Sequence, residues 1–406
     1  MSLTSGIPKM PLERNPERPF DPPAELYRMR EAGPVALVMP NSPEPAWLIT
    51  RYDDQRALLA DPRMSSDQSL PGFPVAVEGI KQSQGGGTTR TIFGLDNPRH
   101  DVVRRMFARD FMVRKINDLR PRIQKHVDEL IDNMLAGPQP ADFVSSFALA
   151  LPTLVISDIL GVPYQDQKMF REVTEKIVNP FLPREEIAQG AADLARYIGG
   201  LLETKLEDPQ DDMLSRIAGY WQAGELSREE AIGGGMVLIP AGHETTANMI
   251  TMSTIVLLDH PRQLAEIRPG DDPELIANAV EELLRYVEVP HYGRRRIALE
   301  DIEIAGHVIR KGEGVILPGN LADREPGIFD GDPDTLDIRR EARHHLAFGY
   351  GIHQCLGQPL ARAELQIVYA TLFRRIPTLQ IAIPPSEIPF RSELFIYGAH
   401  HRPVTW

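Results

Sequence analysis

Cysteine is almost absent from this chain, which has Cys355 as the single example in 406 residues. One cysteine cannot form an internal disulfide, so the sequence excludes a disulfide-stapled fold and indicates a reducing compartment, the cytoplasm. Three uses remain for the thiol, which are packing in the core, nucleophilic attack and metal ligation.

Long apolar runs are also missing, because the longest, such as residues 255–258, are far too short to span a bilayer. The first 23 residues contain no apolar segment, so the sequence predicts neither a signal peptide nor a membrane anchor. An excess of positive charge is absent too. The net charge of −13 argues against nucleic acid or an anionic membrane as a partner.

The hydrophobic periodicity is mostly helical. Helical patterns dominate about 98–287 and return over 358–376, whereas short strand-like stretches fall in about 30–55, 290–320 and 378–406. The length fits one large domain or two fused ones. Residues 64–92 lack any periodicity, which is typical of either a functional loop or a merely floppy one.

Cys355 lies in a glycine-rich loop, FGYGIHQCLG at residues 348–357, that runs into an amphipathic helix. Gly349, Gly351 and Gly357 permit positive φ and let the backbone approach something large and flat. Backbone N–H groups of the loop and of the helix start could donate to the sulfur and hold it as a thiolate. These surroundings favour metal ligation over simple packing.

This loop resembles the haem-binding signature of the cytochrome P450 superfamily, with every fixed position present. The resemblance implies haem b as the cofactor, with the Cys355 thiolate as its axial iron ligand and with Phe348, Gly349 and Gly357 in contact with it. It also implies the P450 fold, mainly α with a small β portion (α+β). That fold is a triangular helical prism holding haem between the long distal helix and the cysteine-loop helix, here as one domain over 1–406.

A second motif, AGHETT at residues 241–246, lies deep in a helix that is predicted to begin near Leu226. The Thr245 hydroxyl can donate to the carbonyl of Ala241 four residues earlier. Taken alone, this motif would indicate an ordinary helix with a row of polar side chains. The resemblance implies that Glu244 and Thr245 deliver the protons that dioxygen cleavage consumes, and that Ala241 lies beside the cofactor.

Pro240 precedes this motif and cannot donate to the carbonyl of Met236, and an interior helix proline costs about 3 kcal/mol. We therefore expect a sharper kink than usual, with a tolerated bend as the alternative. His243, inside the motif, is expected to be structural.

The E-x-x-R string of Glu282 and Arg285 places opposite charges on one helix face. Such a pair usually lies at the solvent-exposed surface and contributes little to the stability of the protein. The resemblance implies instead a buried structural pair completed by an arginine of the following meander. Arg340 fits best, although the neighbouring Arg339 leaves the assignment open.

Haem carries two propionates, so cations must converge on them. His100 and Arg104 share one helix face at i,i+4, and the resemblance implies that they bind the propionates together with Arg296 and His353. For any one of these residues, the alternative to propionate binding is that it is simply a cation on the protein surface. The adjacent Arg294 and Arg295 leave the register of Arg296 open.

The resemblance implies a soluble, bacterial, actinomycete-type monooxygenase that hydroxylates or epoxidises a bulky hydrophobic molecule in secondary metabolism or xenobiotic oxidation. Electrons would come from NAD(P)H through ferredoxin reductase and a ferredoxin, and the protein would be a monomer. Two alternatives stay open: a peroxide-driven or nitric-oxide-reducing P450, and a haem-thiolate sensor or carrier without turnover.

Two further residue sets follow from the resemblance. The substrate pocket is expected to involve the 64–92 loop and Phe181, Leu238, Ala241, Val289, His291, Ile396 and Tyr397. A basic patch beside the cysteine loop, which we call the proximal patch, could dock an acidic ferredoxin. Its members are Arg105, Lys115, Arg339, Arg340, Arg343, His344 and Arg362.

Overall fold

The computed structural model describes residues 7–10, 12–38, 44–74, 91–178, 182–384, 387–392, 394 and 396–406. Within these ranges the chain forms thirteen α-helices: α1 Ala24–Ala32, α2 Tyr52–Ala60, α3 Arg99–Ala108, α4 Val113–Ala136, α5 Ala150–Leu160, α6 Gln167–Val178, α7 Arg184–Glu207, α8 Met213–Gln222, α9 Arg228–Asp259, α10 Pro261–Ile267, α11 Pro273–Tyr286, α12 Gly319–Ala322 and α13 Gln358–Arg375. None of these helices is both long and apolar enough to cross a bilayer.

Ten short strands complete the described part of the chain: β1 Val35–Val38, β2 Ala46–Ile49, β3 Met64–Ser65, β4 Ala141–Asp142, β5 Arg294–Ala298, β6 Ile302–Ile304, β7 His307–Ile309, β8 Gly314–Leu317, β9 Gln380–Ile381 and β10 Pro403–Thr405. The largest sheet has the order β1-β2-β8-β5-β3 and is antiparallel except between β2 and β8. A β4-β10-β9 sheet and a β6-β7 hairpin make up the rest.

Helix α9 is the central element. A capping box fixes its start, because Ser227 accepts from the backbone of Glu230 while the Glu230 side chain accepts from the backbone of Ser227. Its residues from Thr246 to Leu257 are buried on all sides, as expected of a core helix. The helix is continuous through Pro240, and the sharper kink there stays a prediction.

The main hydrophobic core packs α9 against α5 and α7, and packs α13 against α4 and α11. Helices α9 and α13 meet where the hydroxyl of Tyr369 donates to the carbonyl of Ile250. The prediction of a mainly α fold with a small β portion is confirmed. The region predicted as helical, about 98–287, is interrupted by β4 and by a π-helical turn over Val144–Ala148 that precedes α5.

Candidate active site

The Cys355 loop is closed by a hydrogen bond of 2.8 Å from the backbone N–H of Cys355 to the carbonyl of Phe348. Gly349 and Gly351 both have positive φ, at 73° and 75°, which favours glycine. A Cβ at Gly351 would also overlap the carbonyl oxygen of Leu59, so this position needs glycine for two reasons.

The Cys355 side chain is accessible, although protein surrounds the sulfur closely enough that burial raises the pKa of the thiol. The Gly357 N–H donates to the sulfur and opposes that shift, as do the charges of Arg294, Arg104 and Arg362. The backbone donor expected from the sequence is thus present, and the thiolate that it would stabilise stays a prediction for the polypeptide by itself. A metal cation bound to the sulfur would supply the missing stabilisation.

The four cations predicted to bind propionates lie together beside this loop. The rings of His100 on α3 and His353 in the loop are 4.3 Å apart, and Arg104 donates to the carbonyl of Gln354 at 2.7 Å. Burial, together with the charges of Arg296 and Arg104, lowers the pKa of His353 to about 3. Three distant parts of the chain thus bring two guanidinium groups and two imidazole rings to one place.

These side chains have unused hydrogen-bonding capacity. The Nε2 atoms of His100 and His353 are both buried without a partner among the described residues. Arg296 is 9% exposed, and burial lowers its pKa to about 10. Buried donors without acceptors are costly unless an acceptor binds, so the cluster fits the carboxylates of a haem lying against Cys355.

A sealed ion cluster fixes the meander that precedes the loop. Arg285 donates twice to the Glu282 carboxylate, at 2.7 and 2.8 Å, and Arg340 donates to it at 3.2 Å. The side chains of Glu282 and Arg285 are fully buried. The neighbouring Arg339 points instead to the surface and pairs with Glu266, so the structure places Arg340, and not Arg339, in the cluster.

A second ionic group reaches the loop itself and was not anticipated from the sequence. Glu281 accepts from Arg362 at 2.6 and 2.9 Å, and its other contact is His345 at 3.3 Å. The Arg362 guanidinium lies 4.6 Å above the ring of Phe348. Glu281 directly precedes Glu282 in the sequence. Adjacent residues of a helix point in different directions, but the sequence does not indicate which partners the two carboxylates have.

Arg294 was noted only as an alternative to Arg296. It donates to the carbonyl of Ala347 at 2.7 Å and to Glu288 at 3.1 Å. A Cβ at Gly349 would lie 2.9 Å from its Nε, so glycine is also needed here for close packing. Arg294 therefore links strand β5 to the Cys355 loop.

On the distal side, the Thr245 hydroxyl donates to the carbonyl of Ala241 at 2.7 Å, in the local geometry expected from the sequence. The adjacent Glu244 pairs with Arg391 at 2.6 Å, a contact for which the sequence carried no spacing signal. His243 is 1% exposed, and desolvation lowers its pKa to about 4 against a smaller opposite effect of the Leu149 carbonyl.

Four of the proposed pocket residues adjoin one another. The Tyr397 N–H donates to the carbonyl of Val289 at 2.8 Å, Ile396 forms a bridge with Pro290, and the rings of His291 and Tyr397 are 5.3 Å apart. Leu238 and Ala241 lie on α9. Phe181 and the residues 75–90 of the predicted pocket loop lie outside the described residues.

Both ring nitrogens of His291 are occupied by the protein. Its Nδ1 accepts from Arg14 at 3.3 Å, and its Nε2 lies 3.1 Å from the carbonyl of Ser392. Burial lowers the pKa of this ring to about 3. His291 can therefore offer a substrate only its apolar edges.

The proximal patch is less basic than predicted. Arg340 is 4% exposed and belongs to the sealed cluster, so its assignment to a surface patch was wrong. Arg339, Arg362 and Lys115 are paired with Glu266, Glu281 and Asp211. The exposed members without a described carboxylate partner are Arg105, Arg343 and His344.

Comparison with known proteins gives one consistent result. A family model described as Cytochrome P450 matches residues 272–382. Cytochrome P450 GfsF of Streptomyces halstedii is 46% identical over 98% of this chain and 96% of its own, and its crystal structure superposes with a TM-score of 0.94 over 98% of this chain and 100% of that one.

Two further relatives carry the name of a compound. Vitamin D3 dihydroxylase of Streptomyces griseolus is 40% identical over 99% of this chain and 98% of its own. The structure of mycinamicin VIII C21 methyl hydroxylase from Micromonospora griseorubida, bound to mycinamicin VIII, is 37% identical with a TM-score of 0.88. It covers 98% of this chain and 100% of that one. The described fold agrees with that of these proteins.

Proposed function

This chain belongs to the cytochrome P450 family, and on that premise we propose that it oxidises a bulky, mostly hydrophobic organic molecule. It is a P450 monooxygenase, and its cofactor is haem with the Cys355 thiolate as axial iron ligand. When bound, the haem supplies the activation of dioxygen that lets one oxygen atom enter a C–H or C=C bond. The other oxygen atom leaves as water after two electrons and two protons are taken up.

The convergence of His100, Arg104, Arg296 and His353 beside Cys355 is the observation that carries this proposal. These side chains would hold the two propionates, and the unpartnered Nε2 of His353 can donate to them. His100 already donates to Asp101 through Nδ1, so its Nε2 would donate only once the ring is protonated beside a propionate. The Glu282–Arg285–Arg340 cluster would keep the backbone of the 323–337 meander fixed on the side of the Cys355 loop. Phe348, the first residue of the loop, is held in place by the Arg362 guanidinium that lies over its ring.

Glu244 and Thr245 would move the protons. The Thr245 hydroxyl already donates its hydrogen to Ala241, so its lone pairs are free to accept a hydrogen bond from a water that carries a proton. The Glu244 carboxylate is 17% exposed, which leaves it within reach of solvent as a proton source. General acids placed in this way typically contribute about 10²–10⁴-fold to a rate.

The substrate would contact mostly apolar side chains. Leu238, Val289, Ile396 and Tyr397 are apolar or aromatic, and the polar atoms of His291 are occupied by the protein. Such a lining suits a hydrophobic molecule. The compounds named in two relatives, vitamin D3 and mycinamicin VIII, are therefore the first to screen.

For the electron supply we propose a ferredoxin and its NAD(P)H-dependent reductase, acting on a monomer in the cytoplasm. With several patch cations already paired, the exposed Arg105, Arg343 and His344 would supply most of the remaining charge for docking. The Glu244–Thr245 pair is the reason to favour this scheme over a peroxide-driven enzyme, which needs no proton delivery. It also speaks against a sensor without turnover.

The reduced carbon-monoxide difference spectrum of the purified protein tests the haem site first. A red-shifted Soret band of the thiolate type is expected, and Cys355→Ser should abolish it while Arg375→Gln, at a partly exposed position of α13, leaves it unchanged. Oxidation of a compound that shifts the spin state should then require the ferredoxin system and dioxygen. Equal product with peroxide alone, or no product from any compound that binds, would overturn the monooxygenase proposal.

A further inference from the structure

The C-terminal hairpin, meaning the described residues within 389–400, lies directly against the middle of α9. Its two arms are joined by a bridge between Phe390 and Ala399 and by a hydrogen bond of 2.8 Å from Arg391 to Gly398. A Cβ at Gly398 would overlap the side-chain amide of Asn248 on α9, so the hairpin backbone touches the helix there. Asn248 in turn donates to the carbonyl of Glu244 at 2.8 Å.

The hairpin contributes one charge to the proton-delivering pair. Nη2 of Arg391 donates to Oε1 of Glu244 at 2.6 Å, and the two side chains are 11% and 17% exposed. Arg391 Nε is buried without an acceptor among the described residues. The Arg391 guanidinium thus keeps one N–H donor without an acceptor among the described residues. Its contact with Glu244 fixes where that carboxylate points.

The same hairpin also forms part of the proposed pocket wall. The rings of Phe390 and Tyr397 are stacked 5.6 Å apart, and Tyr397 is bonded to Val289 through its backbone. The guanidinium of Arg14, from the N-terminal segment, lies 4.1 Å from the centre of the Tyr397 ring. Phe390 directly precedes Arg391, so a displacement of Tyr397 would be passed on to the ion pair.

We propose that Arg391 is a positioning residue for proton delivery, because its ion pair aims the Glu244 carboxylate and ties that aim to the pocket wall. Glu244 takes up a proton from solvent and releases it toward the site, while Arg391 keeps its own protons throughout. The pair acts only if Glu244 relays protons, so this inference rests on the proposed function.

The test compares Arg391→Gln and Arg391→Lys with wild type, using a compound that the wild type oxidises. We expect Arg391→Gln to lower product formed per dioxygen consumed about five- to tenfold, with peroxide accounting for the difference. The solvent deuterium isotope effect on product formation should rise at least twofold. Arg391→Lys, which keeps the charge, should recover most of the coupling. Arg375→Gln, which removes two ion pairs between α13 and α4, is the control.

Two further measurements separate positioning from a purely structural role. In a Glu244→Gln background, Arg391→Gln should have no additional effect on coupling, since there is no carboxylate left to aim. Guanidinium unfolding of wild type, Arg391→Gln, Glu244→Gln and the double variant, followed by tryptophan fluorescence, should show the two substitutions to be non-additive, because the two side chains interact. This readout does not depend on turnover.

Wild-type coupling and isotope effect in Arg391→Gln would overturn the inference, and so would an equal loss in the Glu244→Gln background. If the wild type itself makes no product with reductant and dioxygen, it is the proposed function that fails. If the effects of Arg391→Gln and Glu244→Gln on the free energy of unfolding are additive in that case, the inference is overturned as well.

Discussion

Two glutamate–arginine pairs, one on each side of the proposed haem site, are built in opposite ways. Glu282 and Arg285 are fully buried, and Arg285 also donates to the carbonyls of Asp323 and Pro333. Glu244 and Arg391 remain 17% and 11% exposed, and Arg391 keeps a buried Nε without an acceptor. The first pair is saturated and sealed, whereas the second is partly hydrated and incomplete.

This difference follows from what each pair has to do. A pair that fixes a backbone is most effective when no water competes and every donor is used, since a buried charge without its partner is costly. A pair that takes part in proton movement must exchange with solvent and must be able to loosen. The proximal side is thus suited to holding a cofactor, and the distal side is suited to changing protonation.

Breaking the sealed pair should have the largest effect. Arg285→Met leaves the Glu282 charge buried beside Arg340 alone, and we expect it to lower the free energy of unfolding by about 3–5 kcal/mol and to impair haem retention. Guanidinium unfolding and the haem-to-protein absorbance ratio measure the two effects. Arg339→Met, one residue from Arg340 but 67% exposed, is the matched control and should cost less than about 1 kcal/mol. Similar losses in both variants would remove the contrast between the pairs.

Acid should act on the distal His243 at a higher pH than on the proximal Glu281. Desolvation lowers the pKa of His243 from 6.5 to about 4, so unfolding takes up a proton between these pH values and stability falls as the pH drops through them. For Glu281, the partners Arg362 and His345 outweigh desolvation and hold the pKa at about 2, so its stabilising contribution is lost only below its ordinary value of 4.5.

His243→Leu tests this order. At pH 5 the histidine costs the wild type about 2 kcal/mol relative to pH 7.5, and the variant should lack that part of the decline. The measurement is the guanidinium midpoint at each pH, with the same substitution at the exposed His401 as the control. An unchanged pH dependence in His243→Leu would mean that another buried group carries it.

The two sides also differ in how far they could be predicted from sequence. The Cys355 loop and the Glu282–Arg285 spacing are local patterns, in which a few consecutive residues specify a turn or one face of a helix. Arg391 is 147 positions from Glu244, and no periodicity connects an arginine in a proline-rich tail to a distant helix. Only the docking of the hairpin on α9 brings them together.

Other points that the sequence left open or missed have the same origin. The choice between Arg339 and Arg340 depended on the path of an irregular meander, where no repeat tells which side chain points inward. Helix α1 was not predicted, because its proline-rich surroundings hide a short helix that owes its stability to packing of Leu26 and Met29. The π-helical turn before α5 likewise follows from tertiary packing and has no local signal.

The smallest expected effect sharpens the comparison most, because it should change chemistry without changing stability. Thr245→Ala removes the hydroxyl that would present a proton-carrying water, so we expect product per dioxygen to fall about tenfold, equivalent to about 1.4 kcal/mol, with peroxide released instead. Thr251 offers a matched control, since its hydroxyl donates to the carbonyl of Ala247 four residues earlier in the same helix, at 2.9 Å. Both substitutions remove one i−4 hydrogen bond, and the two proteins should unfold at similar denaturant concentrations. If Thr251→Ala lowers product per dioxygen as much as Thr245→Ala does, the loss reflects a general loosening of α9. The distal side would then have a structural role like that of the proximal side.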